Sequence, residues 1–302
     1  MGGGPVTTQF VSNLRQHVEE AGLILAVTHQ TLFDYQGLVR DSVNVLHLEP
    51  RNFPKQQTLD VLINVLPATK LHRFDDLFGN ITHHFEISRE HQKLEIESRV
   101  TVQTYPLDIS DMGMNGRPDL LAKADIHEAT WQYMNSSQWV SVNPDIWKQA
   151  LDLTSDHESL YSKALAIMEW IHNEFEYASG VTDVDTHVEP VFELRKGVCQ
   201  DFTHVMLGLC RAVGVPARYA SGYLYNGPSD TLKGAQASHA WCEVFLPGTG
   251  WTGFDPTNNN LADERYVKIA IGRDYADVAP VTGSYHGSSH CRMEVNVLVE
   301  KP

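Results

Sequence analysis

The stretch "RKGVCQDFTH" at residues 195–204 joins a glycine-containing loop to an apolar segment of helical period, and a cysteine stands at the junction. After it, apolar side chains recur every three or four positions: Phe202, Val205, Met206, Leu209 and Val213. This spacing predicts a helix over about 199–213, which "GVP" at 214–216 then ends. Cys199 is therefore expected at the N-terminus of a helix.

A helix N-terminus favours negative charge, because its first backbone N–H groups are unpaired and the helix dipole is positive there. These groups can stabilise a cysteine thiolate and can also receive an oxyanion. Arg195 and Lys196, just upstream, are expected to add positive charge beside Cys199. The alternative is that Cys199 only fills space, because free cysteine is among the most buried residue types. A base close to the sulfur would favour the chemical interpretation.

His239 is the best placed of the fifteen histidines to be that base. It opens a predicted strand over 239–246, on the face opposite to the strand's apolar residues. Asp255 ends the next predicted strand and could orient the imidazole, as a carboxylate does in other thiol and serine enzymes. The residues therefore predict that Cys199, His239 and Asp255 act together.

The loop between the two strands decides whether His239 and Asp255 can meet. A loop centred on Pro247 would place Asp255 directly opposite His239, and one centred on Gly248 would place it on the diagonal, within about 8 Å. A two-residue turn at Gly248–Thr249 would put the side chains on opposite faces of the sheet. The proline and glycines of "LPGTGW" favour an odd-length loop.

The first third of the chain alternates apolar and polar residues in short runs bounded by turn formers. The runs cover residues 23–35, 42–50, 58–67, 80–88 and 93–104. They predict a β-rich, sandwich-like domain over 23–105, after an N-terminal extension and helix in residues 1–22. Proline and glycine are frequent just beyond, so 106–154 is assigned as a linker and helical region.

The remaining residues, 155–302, predict helices followed by strands. Ser155 and Glu158 fit a capping box before an apolar helical stripe. Strand-like runs then cover 217–225, 239–246, 250–254 and 291–299. Helices that precede an antiparallel sheet indicate the α+β class rather than a doubly wound α/β layer.

The composition is that of an ordinary folded protein, with a formal net charge of −15. This charge argues against general affinity for nucleic acid or anionic membranes, both of which bind clustered Lys and Arg. No stretch is apolar for long enough to span a bilayer, and the first twenty residues do not fit a signal peptide. We therefore predict a cytoplasmic protein with no nucleic-acid or membrane partner.

The four cysteines are too few and too scattered for a disulfide framework, and none forms a CxxC pair. They are Cys199, Cys210, Cys242 and Cys291. Cys210 and Cys242 fall on apolar faces and are expected in the core. A zinc hydrolase that used the Cys, His and Asp of the site as ligands would fit the residue types but not the usual ligand spacing. We therefore predict neither a metal nor a cofactor.

Four motifs resemble the transglutaminase-like superfamily of thiol enzymes, which is related to papain: "GVCQDFTH", "ARYASGYL", "SHAWCEVFLPGTGWTGFDPT" and "IGRDYADVAP". The similarity covers about 155–280 and is closest to a bacterial branch described as candidate cysteine proteases. "HQTLFDY" and "DLFGN" are similar to the N-terminal region that often precedes this core. The resemblance implies a papain-like catalytic core in 155–302, with Cys199 as nucleophile, His239 as base and acid, and Asp255 as orienter.

Gln200 follows Cys199 here, whereas a tryptophan follows the nucleophile in animal transglutaminases, and no calcium-binding loop of alternating acidic residues is present. These differences favour hydrolysis of a peptide or protein amide through a thioester. A protein-glutamine acyltransferase with an amine acceptor and a non-catalytic peptide-binding module remain the alternatives. Tyr177, Gln200 and Trp241 are further candidates for the cleft, with Tyr177 as a second oxyanion donor.

Overall fold

The computed structural model describes residues 22–107, 116–227, 232–234, 238–287 and 290–302. Two antiparallel sheets, one short two-stranded parallel sheet and a group of helices form the described part of the molecule. The N-terminal extension and helix predicted in residues 1–22 fall, but for Gly22, outside the described residues.

The strands are β1 (Leu23–Glu49), β2 (Gln56–Leu66), β3 (His72–Asp75), β4 (Ile81–Ile87), β5 (His91–Thr104), β6 (Glu176–Tyr177), β7 (Lys196–Gly197), β8 (Ala217–Leu224), β9 (His239–Leu246), β10 (Gly250–Asp255), β11 (Asn260–Leu261), β12 (Tyr266–Gly272), β13 (Val281–Gly287) and β14 (Cys291–Glu300). The α-helices are α1 (Ala124–Thr130), α2 (Pro144–Thr154), α3 (Leu160–Glu174), α4 (Val188–Leu194) and α5 (Cys199–Ala212). Short 3-10 turns cover Pro118–Ala122, Trp131–Tyr133 and Tyr275–Asp277.

β1 organises the first sheet. This strand is 27 residues long; its first half pairs with β5 and β14, and its second half with β4 and β13. The sequence predicted a break after residue 35, but the strand continues. Register shifts at Asp34/Val39 and Arg40/Val43 absorb the irregular residues, and Asp41 takes a positive φ of 50°. The bulges therefore bend the strand without ending it.

The last two strands depart from the expected grouping. The sequence placed the run at 291–299 with the strands of the second half, but β14 pairs with β1 from Ala26 to Tyr35, and β13 also joins the first sheet. The reason is non-local: β1 offers a long free edge, and the alternating apolar residues of β14 fit it. The residue ranges assigned to the domains stay a prediction. The last two described strands, although in the range 155–302, belong to the first sheet.

The second sheet has the order β11-β10-β9-β8-β12, and α2, α3 and α5 form the apolar core with one of its faces. Phe202 and Met206 of α5 are buried in the same cluster as Cys242 and Val244 of β9. Cys210 is also fully buried, as expected for a core cysteine. This arrangement confirms the α+β class, with helices packed on an antiparallel sheet.

The start of α3 differs from the capping box predicted at Ser155. α2 extends to Thr154 and Ser155 ends that helix, so Ser155 cannot begin the next one. The cap of α3 is instead Ser159, whose hydroxyl accepts a hydrogen bond from the N–H of Ser162 at 3.0 Å. The apolar stripe is as predicted, since Ala164, Ile167 and Ile171 are fully buried.

The two sheets share an apolar cluster. Leu25 and Val27 of β1 pack with Tyr223 of β8 and Val267 of β12. Polar contacts join the sheets as well: the Tyr223 hydroxyl lies 2.8 Å from Nδ1 of the buried His29. Because buried apolar and polar groups are shared, we expect both sheets to unfold together.

Replacing Leu25 by alanine tests this coupling. Leu25 is completely buried, whereas its neighbour Ile24 is 45% exposed, so Ile24→Ala is a matched control. We expect Leu25→Ala to lower the free energy of unfolding by about 3 kcal/mol and the control to lower it far less. All six tryptophans lie beyond the first 130 residues. Urea unfolding followed by their fluorescence should therefore shift; an unchanged midpoint would mean that the sheets unfold independently.

Candidate active site

The β9–β10 hairpin sets the positions of His239 and Asp255. The strand pairing leaves the loop Pro247–Thr249, which is centred on Gly248. This is the second of the odd-length registers considered from the sequence, and it places Asp255 on the diagonal from His239. The two side chains therefore lie on the same face of the sheet.

His239 and Asp255 form a buried ion pair. Nε2 of His239 lies 2.7 Å from Oδ2 of Asp255, and neither side chain is exposed. Burial alone would lower the pKa of His239, but the Asp255 carboxylate and the Cys199 sulfur together outweigh it and raise this pKa to about 10. Burial likewise opposes charge on Asp255, yet its partners hold its pKa below the ordinary value. Near neutral pH the pair is therefore imidazolium and carboxylate.

Asp255 accepts hydrogen bonds from further groups that were not predicted. Its Oδ2 accepts from Tyr266 Oη and from Asn258 Nδ2, each at 2.8 Å, and its Oδ1 accepts from the N–H of Thr257 at 2.9 Å. Aspartate side chains often accept hydrogen bonds from residues just after them, so the contacts of Asp255 within "DPTN" could have been predicted from the sequence. Tyr266 carried none, because it lies on β12 and only the tertiary fold brings it to Asp255.

Cys199 stands at the first position of α5, as predicted. The first backbone bond of this helix runs from Phe202 N to Val198 O, so the N–H groups before Phe202 have no partner within the helix. Cys199 is 8% exposed. Because Nε2 of His239 binds Asp255, Nδ1 is the ring nitrogen that interacts with Cys199. Within the described part of the chain, Nδ1 has no hydrogen bond of normal geometry. The fold thus brings the three predicted residues together.

The two basic residues upstream of Cys199 were expected to add positive charge beside its sulfur, but both form ion pairs with other residues. Arg195 lies 2.6 Å from the carboxylate of Glu174, and Lys196 lies 2.7 Å from that of Glu176. Each charge is neutralised by its partner at the protein surface. The positive charge beside the sulfur comes instead from His239.

Asp201 serves the first turn of α5 as an acceptor. Its Oδ2 accepts hydrogen bonds from the N–H of Val198 at 2.8 Å and from the Thr182 hydroxyl at 2.6 Å. Burial raises the pKa of Asp201 although both bonds oppose the change. The carboxyl therefore caps the helix that carries Cys199.

Tyr177 lies near Cys199. Burial, followed by the charges of Cys199, Asp201 and Asp255, raises the pKa of Tyr177 to about 12. The ammonium of Lys233 lies 5.6 Å from the centre of the Tyr177 ring. The phenol is therefore neutral at physiological pH and keeps its proton for donation.

Gln200 and Trp241, the other two cleft candidates, are engaged within the protein. Gln200 Nε2 donates to the carbonyl of Val184 at 2.9 Å. Trp241 is buried and lies on the His239 ring, with centroids 6.2 Å apart and planes 28° apart. Trp241 therefore supports the imidazole from within the fold and does not form an exposed wall of the site.

Residues 232–234 cover the imidazole from outside. A Cβ added to Gly234 would lie 2.5 Å from Nδ1 of His239, and Gly234 has a φ of +83°. Asn258 fixes this segment, because its Oδ1 accepts from the N–H of Lys233 at 2.9 Å while its Nδ2 donates to Asp255. One side chain therefore connects the covering segment to the carboxylate. Sequence reasoning did not identify Gly234.

Among the described residues, no group of three or more His, Cys, Asp or Glu side chains could hold a metal ion. Likewise, no helix within the described ranges is long and apolar enough to cross a membrane.

The family of the chain follows from its similarity to known proteins. Residues 148–256 match the transglutaminase-like superfamily, and residues 25–103 match the bacterial transglutaminase-like N-terminal region. An uncharacterized protein of Mycobacterium tuberculosis is 32% identical over 289 residues, covering 90% of this chain and 91% of that one. The chain therefore belongs to the transglutaminase-like superfamily.

Two other similarities concern fold and chemistry. The crystal structure of a protein from Cytophaga hutchinsonii, described as a candidate cysteine protease, has a TM-score of 0.71 and 26% identity, covering 92% of this chain and 91% of that one. A protein-glutamine gamma-glutamyltransferase from Pseudomonas aeruginosa is 29% identical over 180 residues, 55% of this chain and 26% of that protein. The first confirms the fold over nearly the whole chain.

Gly234→Ala tests the close approach to His239. The new methyl group would displace the imidazole, and we expect the rate of Cys199 alkylation by iodoacetamide at pH 7 to fall roughly tenfold or more. Gly180→Ala is the control, because Gly180 has a similar φ of +77° and no atom within 4 Å of an added Cβ. Equal rates in the two variants would attribute the effect to backbone strain rather than to contact with His239.

Asp255→Asn tests the ion pair through the pH dependence of stability. The folded pKa of His239 is above its unfolded value of about 6.5, so its stabilising contribution is complete below pH 6.5 and is lost as the pH rises toward 10. In Asp255→Asn this contribution is absent. We therefore expect the unfolding free energy of Asp255→Asn, measured in urea at pH 6, 7.5 and 9, to fall furthest below that of the native protein at pH 6. A loss that grows with pH would contradict a charged pair.

Proposed function

We propose that the protein is a thiol-dependent amide hydrolase, with Cys199 as nucleophile, His239 as base and acid, and Asp255 as orienter. The observation that carries the proposal is the buried His239–Asp255 pair beside a cysteine at the N-terminus of α5. A buried imidazolium costs free energy unless an anion accompanies it. Asp255 supplies one such anion, and a Cys199 thiolate would supply a second.

The hydrogen-bonding pattern supports this division of roles. Asp255 binds Nε2 of His239, so Nδ1 is the nitrogen that faces the reaction. The N–H of Cys199 at the helix start can bind the oxyanion of a tetrahedral intermediate. The protonated Tyr177 hydroxyl is the candidate for a second donor, because its pKa is raised by burial and by Cys199.

The proposed reaction has two halves. The Cys199 thiolate attacks the carbonyl carbon of a peptide or carboxamide and forms a C–S bond. The intermediate collapses with cleavage of the C–N bond, and His239 Nδ1 gives its proton to the leaving amine. In the second half, His239 takes a proton from water, the hydroxide attacks the thioester, the C–S bond breaks, and the carboxylic acid leaves.

Transfer to an amine is the second candidate function, and the Pseudomonas aeruginosa relative favours it by its description as a glutamyltransferase. The same thioester serves both reactions, and the acceptor decides between them. The absence of a tryptophan after Cys199, where Gln200 stands, supports water as acceptor. A non-catalytic peptide-binding module would have no need of a buried charged pair beside a thiol.

Cys199→Ala and His239→Ala should both abolish turnover of a peptide and carboxamide library, since each removes a group that reacts. Intact-mass spectrometry should detect an acyl adduct on Cys199 of the native protein, and the adduct should decay in water without an added amine. Decay that requires a primary amine would favour the acyltransferase instead. Cys291→Ser removes the exposed cysteine of β14 and serves as control. An adduct lost in that variant would contradict the assignment.

A further inference from the structure

A cavity of about 390 Å³ lies between the two sheets, and its lining includes Trp241 and Tyr266, which contact His239 and Asp255. Phe53, Lys55 and Tyr105 of the first sheet region line one side of it, and residues of β9, β10 and β12 line the other. Ligand sites of this volume commonly occur where two structural units meet. The cavity is separate from the Cys199 sulfur, because Trp241 and Tyr266 stand between the cavity and the His239–Asp255 pair.

The cavity contains a buried group of three charges. Glu243 accepts hydrogen bonds from Arg218 Nε at 2.8 Å and from Lys268 Nζ at 2.5 Å. Burial opposes the negative charge of Glu243, but the charges of Lys268 and Arg218 outweigh it and lower the pKa of Glu243 to about 2. Burial lowers the pKa of Lys268, and the Glu243 carboxylate opposes this change. The group therefore contains two basic side chains and one carboxylate. The protein as a whole has a net charge of −15, so this buried excess of basic side chains is local.

Lys268 can donate further hydrogen bonds into the cavity. An ammonium group has three N–H donors, and within the described ranges its hydrogen-bonded acceptor is Glu243. Its other close contact is with the ring of Phe53, whose centroid lies 4.0 Å from Nζ. A ligand that approaches along Phe53 would therefore meet a donor that has no second acceptor among the residues the structure describes.

Aromatic rings form much of the remaining wall. Phe53, Tyr105 and Trp251 line the cavity together with Trp241 and Tyr266. Trp251 is itself fixed, because the guanidinium of Arg218 lies 4.1 Å from its ring centroid. Flat rings of this kind favour a planar apolar body, and the positive charge below them favours an anion.

We propose that this cavity is a binding site for a small aromatic carboxylate. The carboxylate would accept a hydrogen bond from Lys268, and the ring would lie against Phe53 and Trp251. The volume excludes a folded partner and suits one ring with a short side chain. The site is distinct from the acyl-transfer site, and its existence does not rest on the proposed function.

Phenylacetate is the probe that tests the site, with phenylacetamide as its uncharged analogue of nearly equal size. Thermal unfolding is measured with each compound at constant ionic strength, with sodium chloride in place of the probe as the reference. We expect phenylacetate to raise the Tm with half-saturation at about 1 mM, the affinity typical of a ligand of this size. Phenylacetamide should require at least tenfold more. No shift beyond the salt reference, or an equal shift with the amide, would overturn the proposal.

Two variants locate the binding. Lys268→Met removes the ammonium but keeps an unbranched side chain, and Glu243 keeps its bonds to Arg218. Phe53→Ala removes the half-buried ring over the ammonium. This second variant keeps the proposal testable if Lys268→Met does not fold. We expect the Tm response to disappear in Lys268→Met and to weaken at least threefold in Phe53→Ala. Lys93→Met, an equal charge change at an exposed position of β5, should respond as the native protein does. A native response in Lys268→Met and Phe53→Ala would place the ligand elsewhere and overturn the proposal.

Discussion

The buried ion pair between His239 and Asp255 is the interaction on which the candidate site depends. A carboxylate without solvent exposure is unstable as an anion unless other groups supply hydrogen bonds and positive charge. Asp255 receives both, from the imidazolium, the Tyr266 hydroxyl, the Asn258 amide and the N–H of Thr257. With so many donors fixed by two strands and a turn, the carboxylate has one position. The imidazole orientation follows from it, because Nε2 is committed to Asp255.

This pair imposes conditions on the surrounding backbone. The three-residue loop Pro247–Thr249 gives the register that puts both side chains on one face. Close packing of the covering segment requires a glycine at position 234, and Asn258 joins that segment to the carboxylate. A shift of one residue in the hairpin would move Asp255 to the other face and leave a buried charge without a partner. The register and the ion pair therefore stabilise each other.

The parts of the site that could be predicted from the sequence depend on local rules. The extent of α5 follows from its apolar period and from the glycine that ends it, and the face of His239 follows from strand alternation. What the sequence could not provide was long-range: Tyr266 reaches Asp255 from another strand, and β14 returns to β1 across the whole chain. Arg195 was predicted wrongly for a similar reason, since its partner Glu174 becomes its neighbour only when β6 and β7 pair.

The same long-range contacts explain why a β-rich unit accompanies the core. Helices cover one face of the second sheet, and the opposite face carries His239, Trp241 and Glu243 at alternate positions of β9. That face is polar in sequence, yet all three residues are buried. The first sheet region contributes to this burial, because Phe78, between β3 and β4, packs against the cluster that contains Trp241. Burial of the His239–Asp255 pair strengthens the attraction between imidazolium and carboxylate, since opposite charges interact more strongly at low dielectric. The first sheet region therefore supports Trp241 beside the His239 ring, and through it the electrostatics of the candidate site.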